Sequence, residues 1–228
     1  MLNTNASKKT AIIVGILFII ATAFLFIGES FYGPILNSPD YLEIAYQNRM
    51  RVVLGILLEF TCVFAITLIP VFLYPILKKY SESLALSYIV FRLFEAILFS
   101  ITQLDKLSLV NVSQGYIESG GANSYFVNMG DFIQSKYIFI FSFYLLVFTI
   151  GGLFFYSLLY KSRLIPKWIS GWGFGAAALL LTGSVLNIFE VELGFSGAGF
   201  EIIFATPIAI QEMVMAVWLI IKGFNEKN

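Results

Sequence analysis

Four ionisable residues stand inside long apolar stretches of this chain: Glu59, Arg92, Glu95 and Glu212. A charged side chain at the centre of a bilayer costs about 2.5–3.5 kcal/mol on insertion scales, so such groups turn inward and pair. Arg92 and Glu95 are three residues apart and share one helix face. Three carboxylates facing one guanidinium leave at least one carboxylate without a formal counter-charge, and an unpaired carboxyl at membrane depth is what proton-coupled transport uses. The expected arrangement is one shared polar core. In it Glu212 and Glu95 respond to a proton or cation, Arg92 is their counter-ion, and Glu59 is a gate nearer the outside. Gln211, Gln103 and Asn187 are expected to supply hydrogen-bond partners. The alternative is a buried bridge, Arg92 with Glu95 or Glu212, that only fixes helix register.

The rest of the composition removes much other chemistry. There is no histidine, and Cys62 is the single cysteine. His-ligated zinc or haem, a Ser-His-Asp triad, a His general base and an internal disulfide are thereby excluded. No phosphate-binding glycine loop, paired-carboxylate metal motif or nucleophile elbow occurs. No cofactor or metal is therefore expected, and an enzyme acting within the membrane is the least supported reading. Zero formal net charge offers no surface for a polyanion, so nucleic acid is not an expected partner.

The elements that must position the charged residues follow from apolar content. Of the 228 residues 59% are hydrophobic and 12% charged, with a mean hydropathy of +0.86. Soluble domains are about 25% charged, so the expected solvent is lipid. A membrane helix needs roughly 20 apolar residues. Six runs qualify, at about 11–28, 52–77, 84–104, 136–160, 168–189 and 200–221. They predict an all-α, polytopic transmembrane bundle, with residues 1–228 forming a single domain. The first run lacks a small-residue cleavage site and is read as a retained helix. At a rise of 1.5 Å per residue, Glu59 lies about 12 Å below the outer surface and Arg92 about 12 Å above the inner one. Glu95 and Glu212 are also near mid-depth, so all four fall in a central slab.

Lys and Arg placement sets the expected orientation. Nine lie on the side of the termini, namely Lys8, Lys9, Lys78, Lys79, Lys161, Arg163, Lys167, Lys222 and Lys227. Four lie opposite: Arg49, Arg51, Lys106 and Lys136. Both termini are therefore expected in the cytoplasm of a cell-membrane protein. The acids Glu190 and Glu192 fall in an outer connection. Two longer outer loops are expected, Glu29–Arg51 and Asp105–Ser135. The first would hold a short helix over Tyr41–Met50. The second would turn at Ser119-Gly120-Gly121 and hold a short helix over Ala122–Gln134. Gly171, Gly173 and Gly175 suit close helix packing. Pro70, Pro75 and Pro207 are expected to kink their helices. Partners would be the bilayer and a small solute, ion or proton. The competing function is a non-transporting assembly or lipid-interacting protein that works through its outer loops.

The stretch Leu158-Leu159-Tyr160-Lys161-Ser162-Arg163-Leu164-Ile165-Pro166-Lys167-Trp168 resembles the turn of a bacterial and archaeal membrane family, domain of unknown function 4386. Leu84–Ala96, with Phe91-Arg92-Leu93 and Glu95, looks like that family's third helix. Pro207–Phe224, with Gln211-Glu212-Met213 and Trp218–Phe224, looks like its last. The resemblance covers nearly the whole chain. It implies a several-helix membrane architecture and transfers no biochemical activity. It also implies that the marked Arg and Glu positions belong to the family's pattern.

Overall fold

The computed structural model describes residues 4–189 and 201–225, and every regular element among them is helical. Six long helices are α1 (Thr4–Leu36), α3 (Arg49–Leu77), α4 (Glu82–Glu118), α5 (Ser124–Ser162), α6 (Lys167–Ile188) and α7 (Thr206–Ile221). A single turn, α2 (Tyr41–Ile44), lies between α1 and α3, and a π-helical turn, Glu201–Ala205, leads into α7. The first five of these, and α7 taken together with the π-helical residues before it as Ile203–Ile221, are long and apolar enough to cross a membrane. Glu190 and Glu192 lie outside the described residues, as does the first residue of the sixth expected run.

Each long helix packs on the next in the chain, and α7 closes on α1. The result is a ring of six staves running alternately up and down. An even number of staves puts both chain ends at one end of the ring. The Asn225 N–H there donates to the Leu164 carbonyl in the α5–α6 turn at 2.7 Å. This terminus end also carries the α3–α4 turn, where Ser81 caps α4 by accepting from the Leu84 N–H. The opposite, hairpin end carries α2 and the α4–α5 turn. Apolar packing inside the ring falls into three layers. Phe18, Leu73, Tyr88, Phe155 and Met215 fill the terminus end. Cys62, Ile66, Ala96 and Phe99 fill the middle. Tyr32, Leu42, Ile56, Leu109 and Ile133 fill the hairpin end.

The loop expected over Asp105–Ser135 is helical except at its turn. α4 has 37 residues and α5 has 39, lengths of about 55–58 Å against a hydrocarbon core of about 30 Å. The helix runs on past Asp105 and Lys106 because both are buried and paired inside the ring rather than solvated. The apolar period resumes at once, with Leu109, Val110 and Val112 buried. The turn itself sits where the glycines put it. Gly120 and Gly121 have φ of +90° and +74°, a left-handed conformation that glycine adopts without strain. Asn123 then caps α5 by accepting from the Tyr125 N–H at 3.0 Å. The short helix expected over Ala122–Gln134 is thus the first turns of α5, and that over Tyr41–Met50 shrinks to α2.

α1 continues through Pro34 to Leu36. Proline leaves the carbonyl four residues back without its helical donor, and that carbonyl, Ser30 O, accepts from Arg51 Nη2 at 3.3 Å. Pro207 is the second residue of α7 and stands directly after the π-helical turn Glu201–Ala205, where the helical hydrogen-bond pattern changes.

Of the glycines in α6 expected to pack, Gly173 lies against the Tyr156 ring, whereas Gly175 meets nothing. A close crossing of backbones on two facing glycines lies elsewhere, between α1 and α3. A Cβ on Gly28 would sit 2.7 Å from the Gly55 carbonyl and 2.6 Å from Glu59 Cγ, and one on Gly55 would sit 2.6 Å from the Gly28 carbonyl. Gly55→Ala is therefore expected to cost about 1–3 kcal/mol, the usual penalty of overpacking. The melting temperature in detergent checks this. An unchanged value would mean that α1 and α3 part more easily than the crossing implies.

Candidate functional site

The face of α4 that points into the ring carries Tyr88, Arg92, Glu95, Phe99, Gln103 and Lys106, all buried and spaced at three and four residues. This is the helical repeat, and it strings two charged clusters along one helix. They are about 21 Å apart, the length of the 14 residues between Arg92 and Lys106.

The first cluster surrounds Arg92. Its Nη1 donates to both oxygens of Glu95, at 2.9 and 3.0 Å. Its Nε donates to the Tyr88 hydroxyl at 3.1 Å. Glu212 reaches in from α7 and lies 3.5 Å from Nη2. The guanidinium also lies 5.3 Å from the ring centres of Tyr88 and Phe148 and 6.0 Å from that of Phe18, within reach of cation–π attraction. Tyr88 is held in turn by stacking on Phe155 at 4.4 Å. Four of the six long helices thus meet at Arg92. Glu95 is 2% exposed, whereas Glu212 is 13% exposed. One guanidinium faces two carboxylates, so the cluster carries one formal negative charge in excess when all three groups are ionised.

The second cluster contains Glu59, and here the expected single polar core divides. Glu59 does not join Arg92. It pairs with Lys106 at 2.7 Å, and the Tyr32 hydroxyl donates to its other oxygen at 2.6 Å. Lys106 Nζ also donates to the Tyr32 oxygen at 2.6 Å and to Gln103 Oε1 at 3.2 Å. All three ammonium hydrogens have acceptors, both carboxylate oxygens have donors, and the charges cancel. Between the clusters lie Cys62, Ala96, Phe99 and Ile66. Cys62 is near enough to feel the charges of both.

A third pair, Asp105 with Lys136, ties α4 to α5. Asp105 is buried and its Oδ2 has no hydrogen-bond partner, while Lys136 is 44% exposed. The expected helper residues are dispersed. Gln103 serves the Glu59 cluster. Gln211 accepts from the Tyr156 hydroxyl at 2.7 Å and donates to the Ile169 carbonyl at 3.0 Å, joining α5, α6 and α7. Asn187 donates to Ser142 Oγ at 3.4 Å.

Sequence reasoning missed Lys106, Tyr32, Asp105 and Tyr88. Lys106 was legible in principle, because it stands three residues past Gln103 and seven past Phe99 on the stripe that begins at Arg92. Assigning Asp105 and Lys106 to a loop hid it.

The turn and tail segments singled out in the sequence touch each other. Arg163 ends α5 with φ +57°, and its carbonyl accepts from Asn225 Nδ2 at 3.3 Å. Leu164 and Ile165 are buried in the terminus-end layer, with Phe224 against it. The paired segments act as a latch that closes the ring beside α1. No curated protein and no solved structure matches the chain. The family model "Domain of unknown function (DUF4386)" matches residues 13–223, which takes in the α5–α6 turn, the Arg92 cluster and the Glu59 cluster alike. The chain is a member of that family.

Proposed function

We propose that this chain is a multi-pass protein of the cell membrane, with both termini in the cytoplasm. Its Arg92–Glu95–Glu212 cluster takes up a proton or a small cation and couples it to the passage of a small solute or ion. The observation that carries the reading is the excess carboxylate. A net negative charge in a low-dielectric interior is costly, and one proton or one monovalent cation removes it. Glu212 is the exchanging group. It is the more exposed of the two carboxylates and makes the longer contact with Arg92. It also stands on the short helix that follows a π-helical turn, a feature often found at functional sites. The cytoplasmic placement of the termini rests on the surplus of Lys and Arg at that end. At the hairpin end Lys106 and Lys136 are each paired with a buried carboxylate, which leaves Arg49 and Arg51 to oppose it.

Reconstituted proteoliposomes test this. Imposed proton, sodium and potassium gradients should produce flux above that of empty liposomes, and Glu212→Gln should reduce it to background. Flux that is equal in Glu212→Gln, or absent from the native protein under all three gradients, would overturn the reading.

A second reading draws on the engagement of every guanidinium nitrogen of Arg92. On it the cluster only locks helix register, and the protein moves nothing. Stability measurements separate the two readings, as argued in the Discussion.

A further inference from the structure

A cavity of about 480 Å³ opens at the hairpin end, between the end of α1 and the first turns of α5. Leu36, Asn37 and Pro39 line it from one side of the chain, Asp131 and Gln134 from the other, and α2 contributes Tyr41. Gly130 lets these parts approach, because a Cβ there would collide with the Tyr41 hydroxyl. That hydroxyl is enclosed, so Tyr41 lines the cavity without it. The other polar groups are open. Asn37 and Asp131 are exposed and Gln134 is half-buried. None of their three side chains hydrogen-bonds or ion-pairs with another described residue.

The charge at the cavity has one sign. Asp131 is the only acid that lines it, and no Lys or Arg does. The nearest cation along α5, Lys136, is held by Asp105. α1 ends at Leu36, and a helix C-terminus carries about half a unit of negative charge on its last carbonyls. A cation is therefore attracted from two directions. Size decides what kind. A water occupies about 30 Å³, whereas small-molecule sites span about 300–1,000 Å³, so the cavity is far too large for a bare ion. Among the described residues no group of three or more acidic, Cys or His side chains could hold a metal. Leu36 and Pro39 add an apolar wall. We infer that this cavity binds a protonated organic amine, its ammonium on the Asp131 carboxylate and the Asn37 and Gln134 amide oxygens, its carbon body against Leu36 and Pro39. The site shares no residue with the Arg92 cluster and does not depend on it.

Two sources carry such an ammonium, a soluble amine and an ethanolamine phospholipid headgroup. Calorimetric titration of the protein in dodecyl maltoside with ethanolamine, tyramine and spermidine tests the inference. At least one of the three should bind saturably at a single site. Asp131→Asn should weaken that binding about ten-fold, the order lost with one hydrogen bond to a charged group. Because Asp131 is exposed, this variant should keep the native melting temperature. Glu212→Gln should bind as the native protein does. Competition by added phosphatidylethanolamine, and not by phosphatidylcholine, would assign the site to the lipid headgroup, and competition by neither would assign it to a soluble amine. Saturable binding of none of the three amines, or affinity unchanged in Asp131→Asn, would overturn the inference.

Discussion

Lys106→Met is expected to destabilise the purified protein by about 3–5 kcal/mol, the cost of leaving a buried charge without its partner. Glu59 would keep only the Tyr32 hydroxyl, in a ring interior where neither Glu59 nor Lys106 reaches solvent. The double variant Glu59→Gln/Lys106→Met should recover most of the loss, because removing both charges of a buried pair is often nearly neutral. Thermal unfolding in detergent of the two single variants and the double gives the coupling directly. A double-variant loss equal to the sum of the two single losses would mean that Glu59 and Lys106 stabilise through separate contacts. This cluster is balanced and saturated, and it lies beside the Gly28–Gly55 crossing. It reads as the bolt that holds α1, α3 and α4 at the hairpin end.

Arg92→Met should cost a similar amount, about 3–5 kcal/mol near neutral pH, for the opposite imbalance. It leaves Glu95 and Glu212 facing each other with no cation. The sign of the pH dependence follows. The loss is greatest where both carboxyls are ionised and shrinks as acid protonates them, because protonation removes the uncompensated charge. Glu212→Gln separates the two readings of the site. It removes the excess charge and leaves Arg92 paired with Glu95, so a functional site predicts stability equal to or above that of the native chain, as for groups kept at some cost to folding. If Glu212→Gln instead costs as much as Arg92→Met at all pH values, the cluster is a brace and the transport reading fails. Unfolding midpoints of both variants across pH 5 to 9 decide between these outcomes.

The helical class and the six membrane-length stretches were legible because each depends on a run of local composition. So was the turn at Gly120-Gly121, where backbone conformation is a property of the residue itself. The inward face of α4 was legible as far as Gln103. It was lost at Asp105 and Lys106, because two adjacent charges read as the end of a span when no partner is in view. Their partners are Lys136 and Glu59, 31 and 47 residues away in sequence, and no local pattern announces such a pairing.

Composition and spacing are enough to specify an all-α membrane chain in which Glu59, Arg92, Glu95 and Glu212 need neutralising company. Helix packing selects that company: Lys106 for Glu59, and one shared guanidinium for Glu95 and Glu212. The physical reason is that hydrophobic periodicity fixes which side of a helix faces inward, to within one stripe. How far each helix slides and turns against its neighbours is set by contacts between staves, such as the Gly28–Gly55 crossing and the latch at Asn225. A shift of one turn, about 5.4 Å, is longer than any ion pair here, so the partner of each buried charge is settled by that packing alone.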